Sequence, residues 1–190
     1  VLAAEMLGRK GGIKWIAKGG DITYETMMAS GLISLESDQQ IISSGHIYGQ
    51  DVITLQATQI YNHGMIQTAS DIQLLANNTI ENTGVLMASH NITLESSVIS
   101  NKKGSIIATH DIDIRNQAGE DANKLHNYLG LIDAGDTISI QANELINDRD
   151  GVEGFSENAE YEENKHLVQG GDWKARLYYE KEKNHNQAII

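Results

Sequence analysis

Short runs of apolar residues alternate with polar ones along most of the chain, as in Asp71-Ile72-Gln73-Leu74 and Asp111-Ile112-Asp113-Ile114. A period of two predicts strands with one buried face, and the β-branched residues that fill the runs agree. Each run is only three to five residues long, too short for a helix.

The runs recur. Gly45, Gly64, Gly84, Gly104 and Gly130 each open a similar segment, and Gly151 follows the last, with gaps of 19, 20, 20, 26 and 21 residues. Two residues after each glycine stand Ile47, Ile66, Leu86, Ile106 and Ile132. Small residues follow at Gly49, Thr68, Ala88, Ala108 and Ala134. A polar column reads Asp51, Asp71, Asn91, Asp111 and Asp136. The apolar doublets come next: Ile53/Leu55, Ile72/Leu74, Ile92/Leu94, Ile112/Ile114 and Ile138/Ile140. Ile60, Ile80, Ile99, Leu125 and Ile146 form a later apolar column, and Asn62, Asn82, Asn101, Asn127 and Asn147 close the segments.

Three runs per segment predict a coil with three short sides. A single coil cannot bury its inward face, but coils stacked about 4.8 Å apart pair every backbone group with a neighbour. The expected fold is all-β, a right-handed parallel β-helix (a solenoid) of roughly 19–21-residue coils. Corner Gly and Asn are expected to supply positive φ, and stacked Asn side chains to form an amide ladder.

The pattern divides the chain into irregular coils over 1–44, regular repeats over 45–151 with an insertion near 119–128, and a non-repeat tail over 152–190. In the first part, Asp21-Ile22-Thr23-Tyr24 reads as a copy of the doublet. The 14-residue gap from Gly31 to Gly45 predicts a shortened coil. The insertion, centred on Gly119 to Lys124, is polar and is expected to bulge outward as a loop. In the tail, Trp173 to Glu180 alternates again, reading either as an edge strand or hairpin arm capping the open end or as the start of a further domain.

Composition narrows the function. The net charge is −12, which disfavours nucleic acid and anionic membrane surfaces as partners. No run of about 18 apolar residues is present, so no membrane span is expected. Hydrophobic content of 40% supports a core, and the 5% aromatic content suits a narrow interior. Cys and Pro are both absent, which excludes disulfides and thiolate sites and suits a continuous ladder. The chain starts at Val1 in mid-pattern without a signal peptide, and reads as a piece of something longer.

Gly64-Met65-Ile66-Gln67-Thr68-Ala69-Ser70-Asp71-Ile72-Gln73-Leu74 and Gly104-Ser105-Ile106-Ile107-Ala108-Thr109-His110-Asp111-Ile112-Asp113-Ile114 are close copies of one motif. That motif resembles the repeats of filamentous haemagglutinin-like exoproteins, the two-partner-secreted adhesins and contact-dependent growth inhibition toxins of Gram-negative bacteria. The match extends from Gly45 to Gly151, is weaker over Gly12 to Ser44, and stops there. The resemblance implies a stalk exported through an outer-membrane β-barrel transporter, secreted or displayed at the cell surface, and engaging a receptor or glycan on a target cell. Neither a secretion domain nor a toxin domain is recognisable.

Candidate chemistry is sparse. The Asp column offers a ladder of hard oxygen ligands, or simply turn caps. His90 and His110 share a column one coil apart, as a two-His metal site or as exposed turn positions. Asp113 and Arg115 would suit a polysaccharide lyase, but Glu95, one coil before Arg115, offers it a cross-strand partner. A paired-carboxylate glycosidase would draw on Asp111, Asp113, Glu120 or Asp121. Partner binding is assigned to Glu120, Asp121, Lys124, Tyr128, Trp173 and Tyr178, with Tyr61 and His63 as further aromatic candidates. No nucleotide, nucleophile-elbow or metalloprotease motif is present. The expectation is a non-catalytic segment with neither metal nor cofactor.

Overall fold

The computed structural model describes residues 2–148 and 173–174. Strand β1 (Leu2–Gly8) belongs to a partial leading coil. The first full coil holds β2 (Ile13–Ala17) and β3 (Ile22–Ala29), the second β4 (Ile33–Ser37) and β5 (Gln40–Gly49). The third holds β6 (Ile53–Asn62) and β7 (Met65–Thr68), and the fourth β8 (Ile72–Asn82) and β9 (Val85–Ala88). The fifth is β10 (Ile92–Glu95), β11 (Val98–Lys102) and β12 (Ser105–Ala108). The sixth is β13 (Ile112–Arg115), β14 (Lys124–Tyr128) and β15 (Leu131–Ala134), and the seventh β16 (Ile138–Ile140) and β17 (Leu145–Asp148). All pairings among these are parallel, each strand lying on its counterpart one coil away. The fold is therefore an all-β parallel solenoid of about seven turns, roughly 20 residues each.

The interior consists of columns running along the stack. Ile33, Ile53, Ile72, Ile92 and Ile112 are partners in sequence and fully buried, as are Ile47, Ile66, Leu86, Ile106 and Ile132. Burying each such side chain contributes on the order of 1.5–3 kcal/mol, which makes these columns the principal source of stability.

The Asn column lies inside the wall and is buried from Asn62 to Asn127. Each side-chain amide donates to the next: Asn62 to Asn82 at 2.7 Å, Asn82 to Asn101 at 2.8 Å, Asn101 to Asn127 at 2.8 Å and Asn127 to Asn147 at 2.9 Å. The second amide hydrogen reaches backbone carbonyls, including Leu131 from Asn101 at 3.1 Å. Buried amides are thus satisfied by their own copies.

The glycines serve a different purpose from the one expected. Among the described glycines only Gly19 and Gly119 have positive φ. At Gly64 and Gly84 a Cβ would overlap the carbonyl oxygen of the preceding corner glycine. At Gly104 and Gly130 it would overlap the amides of the Asn ladder. The corner requires close approach rather than left-handed backbone. The left-handed residues are Lys103 (φ 58°) and Leu129 (φ 52°), where the fifth and sixth coils carry one more residue between the Asn and the next strand.

Register corrects several positions read from the sequence. Gly45 stacks on Glu25, not on Gly31, so the 14-residue gap does not shorten a coil. Ile33 and Leu35 are the true doublet there, stacked on Ile13 and Trp15. Ile22 and Tyr24 instead align with Ile41 and Ser43, at the head of the Asn column. Leu145, not Ile146, continues the column of Leu125. Asp51 and Asp136 lie one place before the polar column, whose members at those coils are Val52 and Thr137.

The insertion is smaller than its sequence span. After Arg115 the chain makes a short 3-10 turn at Gln117–Gly119, closed by a bond from the Asn116 N–H to the Glu120 carbonyl at 2.8 Å. Ala122, expected in the loop, is fully buried and bridges Ala142. A small apolar residue is needed there to re-enter the wall, so the excursion ends at Asp121. Beyond residue 148, the 152–190 tail lies outside the described residues except for β18 (Trp173–Lys174), which pairs antiparallel with Ile140 and Ser139 of β16. Among the described residues no helix is long and apolar enough to cross a membrane.

Candidate functional site

Alternation places every second residue of a strand outside, so outward rows also stack coil on coil. On β14, Lys124, His126 and Tyr128 point outward while Leu125 and Asn127 are buried. Lys124 Nζ lies 3.4 Å from Glu144, and His126 Nε2 lies 3.1 Å from Asp148 Oδ1. The His126 and Tyr128 rings meet edge to face at 5.9 Å. The stacking thus gathers Lys124 and Tyr128 with His126, Glu144 and Asp148. The sequence reading missed these last three. His126 was legible from alternation, whereas its pairing with Asp148 needed the register that places Ile146 outside.

Glu120 and Asp121 are exposed beyond the 3-10 turn, and the structure gives their side chains no partner among the described residues. They are not joined by contacts to the β14 group. Trp173 is placed only by its backbone pairing with Ile140, and Tyr178 lies outside the described residues. On the same wall as β14, three coils earlier, Tyr61 and His63 stack at 6.3 Å, and the Tyr61 hydroxyl donates to Gln59 at 2.9 Å.

Glu95 of β10 and Asp113 of β13 are committed to structure. Arg115 donates to Glu95 at 2.6 Å and also pairs with Asp113. The polar column caps the stack: Asp71 Oδ1 accepts from the Asn91 N–H at 2.9 Å, and Asn91 Oδ1 from the Asp111 N–H at 3.1 Å. These bonds reach the next coil rather than closing the residue's own turn, as Asp51 does with Val52 at 2.8 Å. Asn serves as well as Asp, which marks an acceptor role rather than a charge. His90 and His110 do approach, with ring centroids 5.7 Å apart, and His110 Nδ1 lies 2.7 Å from Asp136. Among the described residues no group of three or more His, Cys, Asp or Glu side chains is arranged to hold a metal ion.

Comparison with family models, curated proteins and solved structures gives no match to this chain.

Proposed function

We propose that this chain is a structural stalk segment of a large secreted bacterial exoprotein, displayed at the cell surface to present adhesive or toxin domains to other cells. One observation carries the reading: seven coils stack in register around continuous buried columns, which makes a rod whose stiffness comes from the stack itself. The engagement of Arg115 by Glu95 and Asp113 supports a non-catalytic role for that wall. The resemblance of the repeat to filamentous haemagglutinin-like exoproteins supplies the route, export through an outer-membrane β-barrel transporter.

An antibody raised against this segment tests the proposal in the producing bacterium. It should label intact cells, and labelling should vanish when the partner transporter is deleted. Labelling confined to permeabilised cells overturns the reading.

A second reading, a receptor- or glycan-binding module, is favoured by the two aromatic–imidazole pairs on one wall, Tyr61 with His63 and His126 with Tyr128. Glycan-array binding lost on Tyr61→Ala and Tyr128→Ala together would support it. An unchanged pattern would remove it.

A further inference from the structure

The corner that joins the third wall to the first carries one residue per coil in a row that reads Ser70, His90, His110 and Asp136. The order is set by the backbone: the His90 N–H donates to the Ser70 carbonyl, His110 to His90, and Asp136 to His110. Two imidazoles are therefore held on adjacent rungs, about 4.8 Å apart at the backbone, by a scaffold that cannot slide. Their ring centroids are 5.7 Å apart at an interplanar angle of 61°. His110 Nδ1 faces Asp136 Oδ2 at 2.7 Å, and both side chains are more than half exposed.

We infer that His90 and His110 form a surface site for a borderline divalent cation of the zinc, nickel or copper class, with Asp136 positioning His110 from behind. A metal–imidazole bond of about 2.0–2.1 Å puts the ring centroid roughly 3 Å from the ion, so two rings on one tetrahedral ion sit about 5 Å apart. The observed separation is within a small side-chain rotation of that value. The carboxylate bond fixes the tautomer. Nδ1–H donates to Asp136, which leaves the Nε2 lone pair of His110 free for a metal. The ring of His90 has no hydrogen-bond partner among the described residues, so neither of its nitrogens is committed. Imidazole donors select this class of ion over magnesium or calcium, which prefer oxygen. The site supplies two protein ligands and leaves the remaining positions to water or to a donor from another molecule. One place further on, Asp71 and Asn91 each give a side-chain oxygen to a backbone N–H of the next coil.

Zinc alone, titrated into the full chain by calorimetry and followed by histidine ring signals in NMR, tests the inference. Saturable binding should perturb the rings of His90 and His110 and leave those of His63 and His126 unmoved. His90→Asn and His110→Asn should each abolish it. Asp136→Asn should weaken it about 10–100-fold without removing it, since that residue acts through another. Magnesium should produce no response. Binding that survives the His90→Asn/His110→Asn double variant, or perturbation centred on His126, overturns the assignment. So does the absence of zinc binding to a chain whose circular dichroism is that of a folded β-protein.

Discussion

Asn101 donates its side-chain amide to Asn127 at 2.8 Å across 26 residues of chain, the same distance at which Asn82 reaches Asn101 across 19. The ladder is therefore blind to the six-residue excursion after Arg115. The excursion leaves and re-enters the wall at one corner, and the buried face beyond it is undisturbed.

Asn101 is consequently a sensitive point. Asn101→Ala removes its bonds to Asn127, Gly104 and Leu131 and deprives the buried Asn82 amide of an acceptor. At about 1 kcal/mol for each of these four bonds, the loss should be roughly 4 kcal/mol in urea denaturation. A loss below about 0.5 kcal/mol would show that the ladder contributes nothing to stability.

Two glycine substitutions separate space from conformation. Gly84→Ala places a methyl against the Gly64 carbonyl and should cost about 3 kcal/mol or more. Gly119→Ala meets nothing within 4 Å but must adopt φ +74°, and should cost only about 1–2 kcal/mol. Melting temperatures in the reverse order would refute the close-approach account of the corner.

Lys103 is exposed and holds φ 58° at the extra position of the fifth coil. Lys103→Gly removes the left-handed penalty against a smaller backbone-entropy cost, and should stabilise the chain by about 0.5–1 kcal/mol. Leu129→Gly at the equivalent place in the sixth coil should gain less, because Leu129 is half-buried and its packing is lost. Equal gains would mean that the Leu129 side chain packs on nothing.

Tyr24 is fully buried with its hydroxyl unpaired, facing the equally unpaired hydroxyl of Ser43 on the next coil. Burial holds its pKa well above the ordinary tyrosine value. The adjoining Ser43 hydroxyl offsets part of that, although the two make no hydrogen bond of good geometry. The folded state keeps the proton while the unfolded chain loses it from about pH 10 upward, so stability should fall above that pH. Tyr24→Phe should lack this share of the alkaline loss and be neutral or about 1 kcal/mol more stable near pH 7. Parallel alkaline melting curves for the two proteins would refute it.

The repeat was legible because its chemistry is periodic. Apolar doublets, small residues and Asn recur at one spacing, and each maps to a single column. What the sequence obscured were positions where spacing and stacking disagree. Gly31 lies where a corner glycine was expected, yet the corner below Gly45 is Glu25, because β3 turns it with one residue fewer. Asp51 and Asp136 carry the right side chain one place too early, and only the pairing of Ile53 with Ile72 and of Ile112 with Ile138 exposes the slip. Ala122 looked like loop because polar residues surround it, while its burial follows from a bridge to Ala142 that no local pattern reveals. The β14 group was half visible for the same reason. Lys124 and Tyr128 stand out by residue type, but Glu144 and Asp148 become their neighbours only through the stacking of β17 on β14.

The like-on-like columns bear on the gene as well as the protein. Excising the stretch from Gly64 to Thr83 would join His63 to Gly84, and every residue at the seam would meet a neighbour of the kind it already has. Unequal recombination between adjacent repeats can therefore lengthen or shorten such a molecule in whole turns without designing a new contact. A cut of half a turn would set Asn amides against Ile side chains and be eliminated. Selection acting on reach alone would find this chain easy to adjust.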